Sequence, residues 1–287
     1  MKIAGVFLFL ALTGVSAQIG LLKTALRVKW GIPLVDKEFF IDIPREEADI
    51  KKEGWAQVDR PDTHLPSLKL YCPDGDYTVC TMYDDTGFIA GIQVAMQVNK
   101  LKKNPTPMDR LGFLKWTAPD GFEYWTNQQY FISEESLNKS ALERVAARSE
   151  DTLQEGAVWV RDLDGSLLRV ANTQSGIQQQ GVFEKQACIV SMGDHYYKNL
   201  KQDDTCDAIY PWFMTVNDGN LVASGMLIIG ELPEVPEGMR VWFEHPSVSV
   251  VKTIVDKGPQ CLFDLVEEVG GYTMHIYYGK HPYLIFC

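Results

Sequence analysis

The sequence predicts an α+β protein built mainly of antiparallel β-sheet, and three observations lead to this prediction. Short segments rich in β-branched and aromatic residues recur along the chain, as expected for half-buried strands. Three pairs of such segments flank turns that contain Asp-x-x-Gly or Asn-Asp-Gly, which favour hairpins. Helical periodicity is confined to two longer stretches.

The three hairpins define most of the predicted sheet. They join residues 77–83 to 88–96, residues 157–161 to 167–171, and residues 208–216 to 221–230. Further strands are expected at residues 39–43, 182–192, 239–244 and 272–278. The last of these alternates Thr273, His275 and Tyr277 with larger apolar residues, which predicts a strand inside a sheet.

The first predicted helix begins at Ser133, a good N-cap, and runs to about Arg148. Its apolar stripe comprises Leu137, Ala141, Leu142, Val145 and Ala146. The second follows His245-Pro246 and ends at Gly258-Pro259. Its stripe of Val248, Val251, Ile254 and Val255 is β-branched, so a strand competes with a helix there.

The amino-terminal residues predict export from the cell. Lys2, an apolar run at residues 3–12 and the small-residue motif Val15-Ser16-Ala17 are typical of a signal peptide of residues 1–17. Residues 18–287 are then a single secreted globular domain. The order hairpin, aromatic strand, helix, strand occurs twice, which fits two related halves, residues 66–165 and 180–287, as well as chance reuse of a common unit.

The chain is acidic, with a formal net charge of −11. Such a charge argues against nucleic acid and anionic membrane as partners. After the apolar run near the amino terminus, no segment is long and apolar enough to span a bilayer. The composition therefore predicts a soluble protein and leaves a small molecule or a protein as the partner.

Six cysteines in an exported chain predict three disulfides. They are Cys72, Cys80, Cys188, Cys206, Cys261 and Cys287. Spacing does not decide among the pairings, and a sequential arrangement, 72–80, 188–206 and 261–287, serves as the working prediction. Asn138-Lys139-Ser140 is an acceptor sequence for N-glycosylation at Asn138.

Candidate catalytic residues are few. His195, His245 and His275 could together bind copper or zinc if the sheet brings them close, although no pair has the spacing of a known metal motif. His195 is equally consistent with a loop position, and His275 with a hydrogen-bonded strand position. The sequence lacks a Gly-x-Ser-x-Gly motif, and Asp162-x-Asp164-Gly165 does not continue as a calcium loop.

The aromatic residues cluster in two segments. Trp116, Tyr124, Trp125, Tyr130 and Phe131 form the first, and Tyr210, Trp212, Phe213, Trp242 and Phe243 the second. Exposed, these side chains would form a platform for a sugar, a small apolar ligand or a protein. Burial in the core is the more common state of large aromatic residues and is the favoured interpretation.

Three segments carry a resemblance to known proteins. Gln186–Ile189, Met192–Tyr197 and Thr273–Tyr277, with Cys287 as the last residue, resemble a group of secreted invertebrate proteins, chiefly of arthropods. That group has no established activity, so the resemblance implies export and disulfides and no catalytic residue.

We therefore expect a secreted binding protein of an extracellular fluid such as haemolymph, saliva or venom, with no cofactor. The alternative is an extracellular metalloenzyme that uses His195, His245 and His275. A structural or matrix component is a third interpretation, although the low-complexity repeats typical of that class are missing from the sequence.

Overall fold

The computed structural model describes residues 26–32, 39–148, 152–279 and 281–287. The predicted leader, residues 1–17, lies outside the described residues. Within them the fold class is confirmed, because two antiparallel sheets form most of the regular structure and helices are added to them.

Fifteen strands occur in the described part of the chain. They are β1 (Leu26–Val28), β2 (Ile41–Ile43), β3 (Ala56–Val58), β4 (Lys69–Cys72), β5 (Val79–Tyr83), β6 (Ile89–Gln97), β7 (Leu114–Thr117), β8 (Glu123–Tyr130), β9 (Ala157–Arg161), β10 (Leu167–Ala171), β11 (Phe183–Ile189), β12 (Gly193–Lys198), β13 (Trp212–Asn217), β14 (Asn220–Ile229) and β15 (Gly271–Tyr277).

Six α-helices and two short 3-10 helices occur in the same ranges. The α-helices are α1 (Glu47–Lys52), α2 (Glu134–Leu137), α3 (Ala141–Ala147), α4 (Gln174–Gln180), α5 (Val248–Ile254) and α6 (Gln260–Val269), and the 3-10 helices are Met108–Leu111 and Pro282–Leu284. None of the helices in the described ranges has the length and apolar character needed to cross a bilayer.

The strands form two antiparallel meanders, which we call sheet I and sheet II. Sheet I has the order β11-β12-β13-β14-β15-β1-β2, so the first two strands extend a meander made by the last third of the chain. Sheet II has the order β10-β9-β8-β6-β5-β4-β3, and β7 pairs beside β8. The predicted halves, 66–165 and 180–287, thus lie mainly in sheet II and sheet I respectively.

The three predicted hairpins are present. Strand β5 pairs with β6, β9 with β10, and β13 with β14. The turn glycines Gly87, Gly165 and Gly219 have φ of 78°, 86° and 75°. Glycine adopts this left-handed backbone without the steric cost that a Cβ would add, which is why these turn sequences were good predictors.

Residues 193–198 form β12, the second strand from one edge of sheet I, so His195 lies in a strand and not in a loop. One strand prediction is wrong. Residues 239–244 were predicted as a strand and instead contribute one isolated bridge, between Glu244 and Thr273.

The first predicted helix is divided, and its buried face is reversed. Ser133 and Ser140 each cap a short helix, α2 and α3. Arg144 is buried because its guanidinium donates to the carbonyls of Leu137 and Lys139 and pairs with acidic residues of the β5–β6 turn. The apolar Leu142 and Val145 are consequently 83% and 52% exposed.

The second predicted helix is present as α5, but a further helix, α6, was not predicted. The Gly258-Pro259 pair was interpreted as a helix stop. Pro259 occupies the N-cap of α6, since a residue with fixed φ and no N–H group is also well suited to a helix start.

The two sheets pack face to face over one large hydrophobic cluster that includes residues of both. Polar side chains also join them. Trp212 Nε1 donates to Asn127 Oδ1 at 3.1 Å, and Gln129 Nε2 donates to Ser224 Oγ at 2.7 Å. Because these groups are buried and paired across the interface, they fix one register of the sheets.

The outer face of sheet I is covered by α5 and α6, whose apolar residues form a separate cluster with Phe213 and Leu227. On this face the ring of Phe213 lies directly over Gly225. A Cβ added at Gly225 would be 2.1 Å from the ring atom Cζ. The ring is itself held by His195, Tyr197 and His275, with centroid distances of 5.7, 5.1 and 5.1 Å.

All six cysteines form disulfides, but the pairing differs from the sequential prediction. Cys72 is joined to Cys80 as predicted, whereas Cys188 is joined to Cys287 and Cys206 to Cys261. The reason is topological. The segment after β15 returns past β11 and β12, where Ser191 N donates to Ile285 O, and this brings Cys287 to Cys188.

The disulfides should differ in their contribution to stability. In the chain-entropy view, the Cys188–Cys287 loop of 99 residues restricts the unfolded chain more than the Cys72–Cys80 loop of 8. We expect the double Ala variants to lose about 4–5 and about 2–3 kcal/mol of unfolding free energy, respectively. Denaturant titration measures both losses, and equal losses would contradict this ordering. Non-reducing peptide mapping tests the pairing itself.

Gly225→Ala should destabilise the protein by about 2–3 kcal/mol, because the packed Phe213 ring has no room to move away. Gly121→Ala is the matched control. Gly121 has φ of 81° and no neighbouring atom within 4 Å of an added Cβ, so only backbone strain of about 1 kcal/mol is expected there. If urea denaturation shows Gly225→Ala to be the milder change, the close approach has no energetic weight.

Candidate ligand-binding site

A pocket of about 370 Å³ lies at one end of the two-sheet sandwich, and its walls come from distant parts of the chain. Residues 75–78 and 95–97 supply one wall from sheet II, together with Tyr124. The opposite wall is the segment of residues 231–244, which we call the β14 loop. Its residues 232–236, Met239, Arg240, Trp242 and Phe243 line the pocket.

The β14 loop is fixed at both ends. Glu231 exchanges two backbone hydrogen bonds with Lys102, at 2.8 and 2.9 Å, and Glu244 exchanges two with Thr273, at 2.7 and 2.9 Å. Between these points, Tyr272 donates its hydroxyl to the Leu232 carbonyl at 3.1 Å. The loop also contains Pro233 and Pro236, which restrict its backbone. This wall is therefore held in place without a regular strand or helix.

Trp242 links the β14 loop to sheet II. Its indole Nε1 donates to Asp76 Oδ2 at 2.6 Å, and both side chains are buried. The other oxygen of Asp76 accepts from Thr78 N at 3.0 Å inside the turn that the Cys72–Cys80 disulfide closes. The short disulfide loop thus presents a fixed acceptor to an indole 166 residues away in sequence.

The pocket lining is mainly apolar and aromatic. Tyr77, Tyr124, Trp242 and Phe243 contribute rings, and Tyr77 and Tyr124 contact each other edge to face at 6.0 Å. Gln97 also lines the pocket, and its buried Oε1 has no hydrogen-bond partner among the described residues. An apolar cavity with a few fixed polar groups is typical of a small-molecule site, and about 300–1,000 Å³ is the usual range.

Two other depressions, of about 480 and 430 Å³, are less suited to an apolar ligand. The first is lined by Arg110, Asp207 and residues around the Cys206–Cys261 disulfide, and its lining contains no aromatic side chain. The second lies beside the edge strand β3 and has Tyr77 as its single aromatic lining residue.

Three residues of the pocket lining were singled out in the sequence as members of aromatic clusters and not as pocket residues. Tyr124, Trp242 and Phe243 belong to the two aromatic clusters, most of whose members are buried, as the favoured interpretation expected. Asp76, Gln97 and Arg240 were not identified. The sequence does place Asp76 in a turn, Pro73–Asp76, between two cysteines. This indicates a rigid backbone at Asp76 but does not indicate which residue its side chain contacts.

The predicted histidine site is only partly assembled. His195 on β12 and His275 on β15 lie on the same face of sheet I, with ring centroids 5.8 Å apart. His245 stacks on Tyr272 at 4.6 Å, and Tyr272 projects from the opposite face of β15. Across the described ranges, no three His, Cys, Asp or Glu side chains are grouped so that they could hold a metal ion.

Small residues allow the two imidazoles to approach each other across the sheet. In one row across the sheet, Gly225 lies between Phe213 and His275. In the neighbouring row, His195 is followed by the small residues Thr215 and Ala223. Burial, together with the neighbouring His275, lowers the pKa of His195 to about 3, although the backbone carbonyls of Ala187 and Gly193 act in the opposite direction. His195 is therefore neutral at physiological pH.

His275 contacts a largely buried carboxylate. Its Nδ1 lies 2.9 Å from both oxygens of Glu244. Glu244 also accepts from Trp30 N at 2.6 Å and from Thr273 Oγ1 at 2.7 Å. Burial alone would raise the pKa of Glu244, but His275 and these hydrogen bonds hold it below its usual value. We call Glu244, His275, Thr273 and the Trp30 amide the Glu244 cluster.

Asn138, the predicted glycosylation site, is exposed at the C-terminal end of α2. Ser140, the third residue of the acceptor sequence, caps α3 and donates to Glu143 Oε2 at 2.7 Å. The position is accessible, and its modification stays a prediction.

The Glu244 cluster gives a testable pH dependence. Because folding lowers the pKa of Glu244, its contribution to stability is complete above the unfolded value of 4.5 and is lost as pH falls through the folded value. Glu244→Gln should cost about 3 kcal/mol at pH 7, since donors then face an amide instead of a carboxylate. The difference from the wild type should shrink below about pH 4.5.

Urea denaturation between pH 3 and pH 8 measures this effect. Glu268→Gln, on the exposed side of α6, is the matched control and should change stability by less than about 0.5 kcal/mol at every pH. A Glu244→Gln loss that stays constant down to pH 3 would show that the carboxylate charge is not what stabilises the cluster.

Comparison of the chain with protein-family models, with curated proteins and with solved structures found no match.

Proposed function

We propose that the protein is an extracellular binding protein that holds a small, mainly apolar molecule in the pocket under the β14 loop. The observation that carries this proposal is the pocket itself, a cavity of about 370 Å³ with aromatic walls and few polar groups. The three disulfides support an extracellular setting, since such bonds persist mainly in oxidising compartments. The predicted leader and the resemblance to secreted invertebrate proteins point the same way.

The β14 loop fits a binding role because it presents apolar side chains to solvent at the pocket. Val235 and Met239 line the pocket and are 43% and 42% exposed. Covering such side chains with a ligand removes apolar surface from water, at roughly 25 cal/mol per Å². The walls are fixed by backbone bridges and by the Trp242–Asp76 hydrogen bond, so little ordering has to accompany binding.

The metalloenzyme alternative gains no support from the geometry. Its three histidines are divided between the two faces of sheet I, and His275 is occupied by Glu244. The remaining pair, His195 and His275, is buried on the same face of sheet I as the residues that α5 and α6 cover. A scaffold role for these histidines is the interpretation that the contacts favour.

The pocket can be tested with a simple apolar probe. 1-Decanol should produce a saturable change in tryptophan emission, because Trp242 lies in the pocket wall. Met239→Asp should weaken this binding about tenfold, since a ligand that covers the new carboxylate must also desolvate it. Isothermal titration provides the affinities.

Val241→Asp is the matched control for this test. It makes the same charge change two residues further along the β14 loop, at a side chain that is 40% exposed and does not line the pocket. The affinity of the Val241→Asp variant for 1-decanol should stay within about threefold of that of the wild type. Equal loss in both variants would indicate a general effect on the loop, and no binding to the wild type would contradict the proposed function.

A further inference from the structure

The β14 loop places one cation at the pocket in an unusual setting. Arg240 makes cation–π contacts with two buried indoles, with its guanidinium carbon 5.9 Å from the ring centroid of Trp55 and 5.5 Å from that of Trp242. In the described part of the chain, no carboxylate pairs with this guanidinium. Its donors are therefore open to a ligand.

We propose that the pocket is selective for amphipathic anions, meaning molecules with an apolar body and one carboxylate group, and that Arg240 pairs with that group. This inference rests on the proposed function, because it names the chemical class of ligand for the same pocket. The planar guanidinium matches a carboxylate with two parallel N–H···O bonds, which a lysine cannot provide.

The indoles prepare Arg240 for this role. Cation–π contacts with Trp55 and Trp242 favour one position of this long side chain, so less conformational entropy is lost when an anion binds. Trp242 is in turn fixed by its hydrogen bond to Asp76. The turn closed by the Cys72–Cys80 disulfide therefore positions Asp76, Asp76 positions Trp242 through a hydrogen bond, and Trp242 positions Arg240 through its ring.

The same geometry disfavours a cationic ligand. Aromatic faces attract cations, and a pocket with four aromatic rings could be a site for an ammonium group. The guanidinium of Arg240 already lies over the ring of Trp242 and would repel a second cation there. The pocket also contains Lys100, while Asp76 directs both oxygens to N–H donors and Glu234 lies in the solvent-exposed part of the loop.

Three probes built on a ten-carbon chain, which in the carboxylate includes the head-group carbon, separate the effect of the head group from that of the pocket. They are decanoate, 1-decanol and decyltrimethylammonium, each titrated by calorimetry into the full protein at pH 7.5. We expect decanoate to bind at least about tenfold more tightly than 1-decanol, and decyltrimethylammonium to bind most weakly. Arg240→Gln should weaken decanoate by about 10- to 100-fold and leave 1-decanol within about threefold.

Two further variants make the test specific. Arg240→Lys keeps the charge without the bidentate geometry and should recover part of the decanoate affinity. Lys139→Gln removes one positive charge at an exposed position outside the pocket and should change no affinity. Binding of 1-decanol to Arg240→Gln reports that the pocket of this variant is intact.

The outcomes distinguish the two proposals. Equal binding of decanoate and 1-decanol, with no effect of Arg240→Gln, would overturn anion selectivity and leave the apolar pocket in place. Tightest binding of decyltrimethylammonium would also overturn it. If none of the three probes binds to the wild type, the proposed function fails, and this inference fails with it.

Discussion

The Glu244 cluster is the interaction on which the site depends most. A largely buried carboxylate joins Trp30, two residues after β1, to Thr273 and His275 of the interior strand β15. Glu244 is also the last residue of the β14 loop, two positions after Trp242. Because a buried carboxylate must keep its donors, the loop end cannot shift without breaking several charge-assisted hydrogen bonds. The position of the β14 loop, one wall of the pocket, therefore depends on the hydrogen bonds that Glu244 makes with residues of sheet I.

The two sheets act as one body because their interface is both apolar and polar. The shared hydrophobic cluster drives their association, and pairs such as Trp212 with Asn127 and Gln129 with Ser224 decide how they align. A hydrophobic interface alone tolerates small slips, whereas a buried hydrogen bond is lost by them. This explains why residues as distant in sequence as Asp76 and Trp242 can meet with hydrogen-bond accuracy.

The sequence predicted the parts of the fold that depend on local chemistry. The hairpins followed from turn residues, and the ends of β9 and β10 were those predicted. The failures arose where tertiary contacts decide the outcome. The ion pair of Arg144 with Asp84 buries the face of α3 that its polar residues had assigned to solvent. Cys287 bonds to Cys188 because the chain returns past β11 after the last strand. The pocket could not be predicted, because its walls come from segments more than 100 residues apart in the sequence and no local pattern records their proximity.

The β14 loop leaves sheet I at β14 and returns to it at Glu244, which is bonded to β15. Between these points it is bonded to the side of sheet II, through Glu231 with Lys102, five residues after β6, and through Trp242 with Asp76. The loop therefore behaves as a strap across the open edge of the sandwich. Any change in the spacing of the layers, whether from temperature, pressure or a core substitution, alters the distance between sheet I and the contacts of the loop on the side of sheet II. The width of the cavity therefore depends on how tightly the two sheets are packed against each other.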